Sequence, residues 1–240
     1  MTDLPIKYLT LPDLKVAYRE AGSGPNLLLL HGNSESKKIF RRYQEEFFTD
    51  YHTYALDSRG HGQSRSIDTE YTIPQYCQDV IHFCQAQGIS KTHLVGYSDG
   101  GNIALLLAKN APQLFDRIVA ISPNYLASGT EEKTLRTFTR LSNLWKFLSR
   151  IGLPTRKLVM RFELMLNDIG ITSEELKEIS TGMKILYAEE EMIKEEHIKE
   201  IARLIPNTGL EKISGCNHMN ILNQPGTISS IRTYLEKSRV

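Results

Sequence analysis

The stretch Gly96-Tyr97-Ser98-Asp99-Gly100-Gly101 decides how the rest of the chain is read. It has the form G-x-S-x-G, with a short apolar strand over 92–95 before it and a helical pattern over 102–110 after it. A strand that turns at once into a helix holds the corner residue in a strained backbone conformation. Glycines two residues before and two after that corner remove side chains that would collide where strand and helix approach closely. Ser98 then stands above the sheet edge, and the backbone N–H of Asp99 points to where an oxyanion would form.

Outward from this corner, Leu27-Leu28-Leu29-Leu30-His31-Gly32-Asn33-Ser34 is the next informative stretch. Its continuous apolar run suits a strand buried on both faces, as in a parallel sheet. Ending in His-Gly, it can bring a second backbone N–H, that of Asn33, toward the same pocket. Two converging amides form an oxyanion hole, and losing one donor costs about 10²–10³-fold in rate. Residues 6–10 and 15–19 read as a hairpin around Pro12-Asp13, and further strands are expected over 51–56, 117–121, 184–187 and 210–213. Helical patterns occupy 40–48, 73–87 and 227–237. The alternation predicts an α/β fold: a mostly parallel sheet of about eight strands with helices on both faces.

One segment breaks the alternation. Between 122 and 181 no strand is expected, and amphipathic patterns run over 131–148 and 155–166. Residues 123–181 are therefore read as a helical cap inserted after the sixth strand, into a core formed by 1–122 and 182–240. Over 125–170 eight Lys and Arg face four acids, whereas 189–200 holds six acids and two lysines. The basic segment reads first as a solvated face, with attraction of an anionic substrate as the alternative. Phe138, Trp145, Phe147 and Phe162 either line an acyl pocket or pack against the main domain.

Two further stretches are Asp57-Ser58-Arg59-Gly60-His61-Gly62-Gln63-Ser64 and Ser214-Gly215-Cys216-Asn217-His218. Together with the first two they resemble the α/β-hydrolase superfamily over nearly the whole chain outside the insertion. The resemblance implies a nucleophile at Ser98, a base at His218, an oxyanion hole from the Asn33 and Asp99 amides, and an acid after the strand 184–187. Where relatives commonly carry Gly-x-x-Asp, this chain reads Tyr187-Ala188-Glu189-Glu190-Glu191-Met192-Ile193. Counting back from Met192-Ile193 places Glu191 there, with Glu190 as rival and a solvated acidic run as the plainer reading. Asn124, after strand 117–121, is no acid, which favours the later position. The turn 57–64 is mainly structural in the family, so Asp57 and Arg59 are read as braces. Gly60 argues for a loop rather than a metal site at Asp57 and His61. His52, His82, His93 and His197 are read as structural, and His31 as part of the oxyanion turn. Cys216 is read as a small buried filler, with pocket lining as the alternative. Neither metal nor cofactor is expected.

The 240 residues carry 29 Lys and Arg against 28 Asp and Glu, so no global field favours nucleic acid. No apolar run approaches the ~18 residues of a membrane span. The start MTDLPIKYLT lacks a signal-peptide pattern, and three cysteines suit reduced thiols and a cytoplasmic location. Cys77 and Cys84, on one helical pattern, stand roughly 10 Å apart along it, too far to bridge. The expected activity is hydrolysis of a small or medium ester, carboxylesterase-like, through Ser98, His218 and Glu191. Thioesterase, lactonase, perhydrolase and carbon–carbon bond hydrolase use the same groups on this fold. A binding member that has lost turnover is the reading from a different class, motivated by glutamate at position 191. The expected partner is a small ester-like molecule, and no oligomeric state is read.

Overall fold

Nine strands form one sheet in the computed structural model, which describes residues 4–67 and 70–236. In chain order they are β1 (Lys7–Thr10), β2 (Leu14–Ala21), β3 (Asn26–Leu30), β4 (His52–Leu56), β5 (Arg65–Ser66), β6 (Thr92–Tyr97), β7 (Phe115–Ile121), β8 (Met183–Glu190) and β9 (Thr208–Asn217). Their spatial order is β1-β2-β4-β3-β6-β7-β8-β9, with β5 against β2. β2 pairs antiparallel with β1, β4 and β5; every pairing from β4 through β3 to β9 is parallel. The α/β architecture is as expected. The two-residue β5 is an addition, so the strandless segment follows the seventh strand rather than the sixth.

Alternation along β3 explains its four leucines. Leu28 and Leu30 join the core layer with Tyr76, Val80 and Phe83 of α1 (Ile73–Ala86) and Ile103–Ala108 of α2 (Asp99–Asn110). Leu27 and Leu29 face the opposite layer, with Phe40, Tyr43, Phe48 and Tyr51. Successive strand side chains point to opposite faces, so a sheet covered on both sides is apolar at every position. α1 starts with a reciprocal cap: Thr72 Oγ1 accepts from Gln75 N–H at 3.3 Å, and Gln75 Oε1 accepts from Thr72 N–H at 2.9 Å.

The strandless segment holds α3 (Glu132–Arg150), α4 (Arg156–Leu166) and the short α5 (Ser173–Lys177). α6 (Glu195–Leu204) and α7 (Pro225–Glu236) follow in the second half. Residues 40–48 do not form the expected α-helix. A 3₁₀ turn at Lys37–Phe40 and a π-helical turn at Tyr43–Phe47 replace it. There the rings of Phe40, Tyr43, Phe48 and Tyr51 pack in a chain of contacts, and the wider turn accommodates them. α6 was not expected: its many charges mask the buried His197, Ile198 and Ile201. β9 runs four residues beyond the expected 213. Lys237, at the expected end of the last helix, lies outside the described residues, as do Met1–Asp3 of the chain start.

The 57–64 turn is held by its own side chains. Asp57 accepts from Lys37 Nζ at 2.5 Å, Lys37 N–H at 2.8 Å and Gln63 N–H at 2.8 Å, with Lys37 and Asp57 both fully buried. Arg59 spans from Asp79 to Asp13. Asp57 is thus committed to a cation and two amides. Cys77, Cys84 and Cys216 are unpaired and buried. No helix among the described residues is long and apolar enough to cross a membrane.

Candidate active site

Ser98 lies at the corner between β6 and α2 with φ 54° and ψ −117°, a conformation that side chains other than glycine rarely adopt. Its neighbours explain why glycine is required around it. A Cβ on Gly96 would run into the carbonyl oxygen of Gly100, and one on Gly100 into that of Leu30. The corner is anchored by Ser98 N–H donating to Ile121 O at 2.8 Å and Asn102 N–H donating to Ser98 O at 3.0 Å.

Three chemically active groups meet here. Ser98 Oγ is 3.1 Å from His218 Nε2, and His218 Nδ1 is hydrogen-bonded to Glu191 Oε1. The imidazole is fixed from behind: His218 N–H donates to Glu190 O at 2.9 Å, and His218 O accepts from the Tyr97 hydroxyl at 2.7 Å. Glu191 also accepts from Ser122 Oγ at 2.5 Å, Met192 N–H at 2.9 Å and Ala188 N–H at 3.3 Å. Burial pushes its carboxyl upward, but His218 together with the Ser122 and Met192 donors outweighs burial and holds it below the usual carboxylate range.

A bulge brings these groups together. Ala188 pairs with Ile213 and Glu190 with Asn217, so β9 spends two more residues than β8 on that step. Gly215, at φ 69°, lies in the extra loop and donates its N–H to Glu189 Oε2 at 2.7 Å. Of the three consecutive glutamates, Glu189 grips the bulge, Glu190 offers its carbonyl while its side chain stays exposed, and Glu191 turns inward.

Asn33 and Asp99, expected as amide donors, are brought side by side. Asn33 Nδ2 donates to Asp99 Oδ2 and to the backbone oxygen of Arg161, each at 2.9 Å. Asp99 is the first residue of α2, where an N–H has no acceptor within the helix. Arg161, on α4, also donates from Nη2 to Gly60 O at 2.7 Å. α4 is therefore tied to both the 31–35 and the 57–64 loops.

Four contributors escape a reading of the residues alone: Glu35, Tyr97, Ser122 and Arg161. Glu35 accepts from Gly32 N–H at 3.1 Å, and a Cβ on Gly32 would lie 3.0 Å from both Glu35 Oε2 and Ser98 Cβ. A second carboxyl thus flanks Ser98 opposite Asp99. Burial raises it, against the pull of the Gly32 N–H and His218. No periodicity marks these positions, and Tyr97 stands in the corner motif only as an unspecified residue; their partners lie as far as 128 residues away.

A cavity of about 30 Å³ adjoins Ser98, walled by Phe138, Leu164, Met165, Met192 and Ile193, with Asn102 and Asn124 as polar lining. Of the four aromatics singled out in the insertion, Phe138 reaches this cavity; Phe162 packs on Phe138 with ring centroids 6.1 Å apart. Lys133, Arg136, Arg140 and Arg150 are exposed on α3 and absent from the lining, which fits the solvated-face reading of the basic segment. Cys216 donates to Ile213 O at 3.1 Å in the core. A larger groove of about 610 Å³, among Arg42, Phe47, Ile228 and Arg232, holds none of the groups around Ser98.

Burial pushes the Asp99 carboxyl up to about 6, despite Asn33 and His218. An acid with a higher pKa folded than unfolded binds more protons when folded, so stability falls as pH rises from about 4 to about 6 and is level beyond. Asp99→Asn keeps an oxygen for Asn33 and removes that loss. The variant should be more stable than the parent in urea titrations at neutral pH by up to roughly 3 kcal/mol, with the difference vanishing below about pH 4. A difference that is constant with pH would refute this account of Asp99.

A family model described as alpha/beta hydrolase fold matches residues 25–151. An uncharacterised protein of Mycobacterium tuberculosis is 29% identical over 139 residues, 58% of this chain and 39% of that protein. A 2-(acetamidomethylene)succinate hydrolase of Mesorhizobium japonicum is 32% identical over 103 residues, 43% of this chain and 37% of that enzyme. These matches span less than half the length of each relative. A hydrolase from Pseudomonas aeruginosa PA01 shares the fold, with a TM-score of 0.77 at 19% identity, covering 98% of this chain and 99% of that one.

Proposed function

The chain belongs to the alpha/beta hydrolase fold family, and from that membership we propose that it is a serine hydrolase cleaving small or medium carboxylic esters. One observation carries the reading: Ser98 Oγ lies 3.1 Å from His218 Nε2 while a buried carboxylate holds Nδ1. In the proposed cycle His218 takes the proton of Ser98 as Oγ attacks the ester carbonyl. The Asn33 and Asp99 backbone amides receive the oxyanion. The tetrahedral species collapses, and His218 gives the proton to the departing alcohol, leaving an acyl-serine. Water, deprotonated by His218, then attacks the acyl group and releases the acid and free Ser98. Glu191 stays ionised throughout, fixing the imidazole tautomer and stabilising the imidazolium.

Residues 123–181 act in this reading as a cap over a core of 1–122 and 182–240, with Phe138 and Leu164 setting acyl length. Glu35 and Asp99 beside Ser98 favour a neutral substrate over a carboxylate-bearing one.

Fluorophosphonate labelling, followed by peptide mapping, is expected to place the adduct on Ser98. A panel of esters and thioesters of graded acyl length should show highest kcat/KM for short or medium esters. Phe138→Ala or Leu164→Ala should shift the optimum to longer acyl chains. A folded protein inert to the probe and to every ester overturns the proposal; a thioester or lactone preference moves it to the corresponding class.

A further inference from the structure

Ile67, Met219, Tyr8 and Leu210 are exposed apolar side chains at separate places in the chain, whereas four others cluster at the far end of α3 and the turn into α4. Leu144, Phe147, Ile151 and Leu153 are 47%, 58%, 60% and 47% exposed. The first three follow helical spacing, so they share one face. Gly152, at φ 92°, turns the chain between the last two. Round the helix from them is a groove of about 340 Å³ lined by Lys146, Ser149, Arg150, Arg156 and Val159. The exposed side of α3 continues toward its start with Arg140, Arg136 and Lys133. Ion pairs on this segment include Glu132 with Arg136 and Glu163 with Lys146, each at 2.8 Å.

An exposed apolar cluster in a cationic frame has a specific physical meaning. Apolar side chains on a monomer surface are ordinarily scattered, and contiguous ones mark contact sites. A helix face with aromatic and aliphatic groups beside Lys and Arg suits the boundary between headgroups and acyl chains. A second copy of the chain fits poorly: a two-fold contact through this patch would set Arg150 and Arg156 against their own symmetry mates. An anionic surface complements both parts of the patch.

We propose that the α3–α4 tip is a peripheral docking surface for anionic lipid bilayers. Leu144, Phe147, Ile151 and Leu153 enter the acyl boundary, while Arg150 and Arg156 take the lipid phosphates. The seat is shallow and spans nothing. From Phe147 to Phe138, which walls the cavity at Ser98, is about 14 Å along α3, so a docked membrane sits close to the cavity.

Trp145 is the single tryptophan of the chain and lies on the same stretch of α3, about 100° or more round the helix from Leu144, Phe147 and Ile151, so it reports from beside the patch. The intact protein is to be mixed with vesicles of phosphatidylglycerol in phosphatidylcholine, and separately with phosphatidylcholine alone. Cosedimentation and a change in Trp145 emission are expected with the anionic vesicles, weakening as salt is raised. Phe147→Ser with Ile151→Ser should lower partitioning about tenfold. Arg150→Gln with Arg156→Gln should lower it about fivefold per cation. Far-ultraviolet circular dichroism and melting curves establish that each variant is folded, and the wild-type lipid comparison stands without them. Absence of binding to anionic vesicles at low salt overturns the proposal, as does equal binding to both vesicle types. A dimer in sedimentation equilibrium that Phe147→Ser with Ile151→Ser dissolves also overturns it, by assigning the patch to a second copy.

Discussion

Ser98→Ala is expected to abolish ester turnover, lowering kcat by about 10⁴-fold or more, with the fold retained. Alanine keeps the Cβ and therefore the strained corner at φ 54°, so chemistry is lost without a change in backbone demand. Glycine at the same position separates the two effects. Ser98→Gly should be as inactive as the alanine variant yet more stable, by roughly 1–2 kcal/mol, after subtracting glycine's own entropy cost from the relieved strain. Initial rates and melting curves on the three proteins provide the comparison. If Ser98→Ala keeps most of its activity, the nucleophile lies elsewhere. If Ser98→Gly melts below Ser98→Ala, strain is not stored at the corner.

The second large effect concerns the acid. Glu191→Gln should reduce kcat by about 10³–10⁴-fold, whereas Glu190→Gln should stay within about twofold of the parent. Glu191 accepts from Ser122, Met192 and Ala188 as well as facing His218. An amide there must aim its N–H₂ either at those donors or at Nδ1. In the second orientation Nδ1 becomes the acceptor and Nε2 carries the proton, so it cannot receive one from Ser98. Glu190 contributes its backbone oxygen to His218 N–H, and a side-chain change leaves that bond in place. The opposite ranking in steady-state kinetics would transfer the role to Glu190.

The order in which these features can be read from residues follows their physical range. The corner at Ser98 and the strand at Leu27–Leu30 are legible because glycine spacing and an unbroken apolar run report local backbone and burial demands. The choice among three adjacent glutamates is different in kind. It is made by the extra loop length in β9, which rotates the pairing so that Glu191 and His218 face one another. Periodicity carries no record of that. α6 was concealed for a related reason: charge dominates its composition, while burial depends on His197, Ile198 and Ile201. Residues 40–48 misled through aromatic content, since ring packing rather than helical spacing sets their turn. Glu35 and Arg161 act across loops that only the folded chain brings together.

The 30 Å³ cavity beside Ser98 bears on how binding strength is to be understood. On the ester-hydrolase proposal, a substrate enters this narrow space as its walls give way. Affinity then becomes a product of two quantities: contact with the substrate and the population of a receptive state. If that state is about one part in a hundred, apparent affinity is weaker by about a hundredfold than the contacts alone provide. The bonds from Asn33 to Arg161 O and from Arg161 to Gly60 O hold α4, which carries the cavity walls Leu164 and Met165, against the loops beside Ser98.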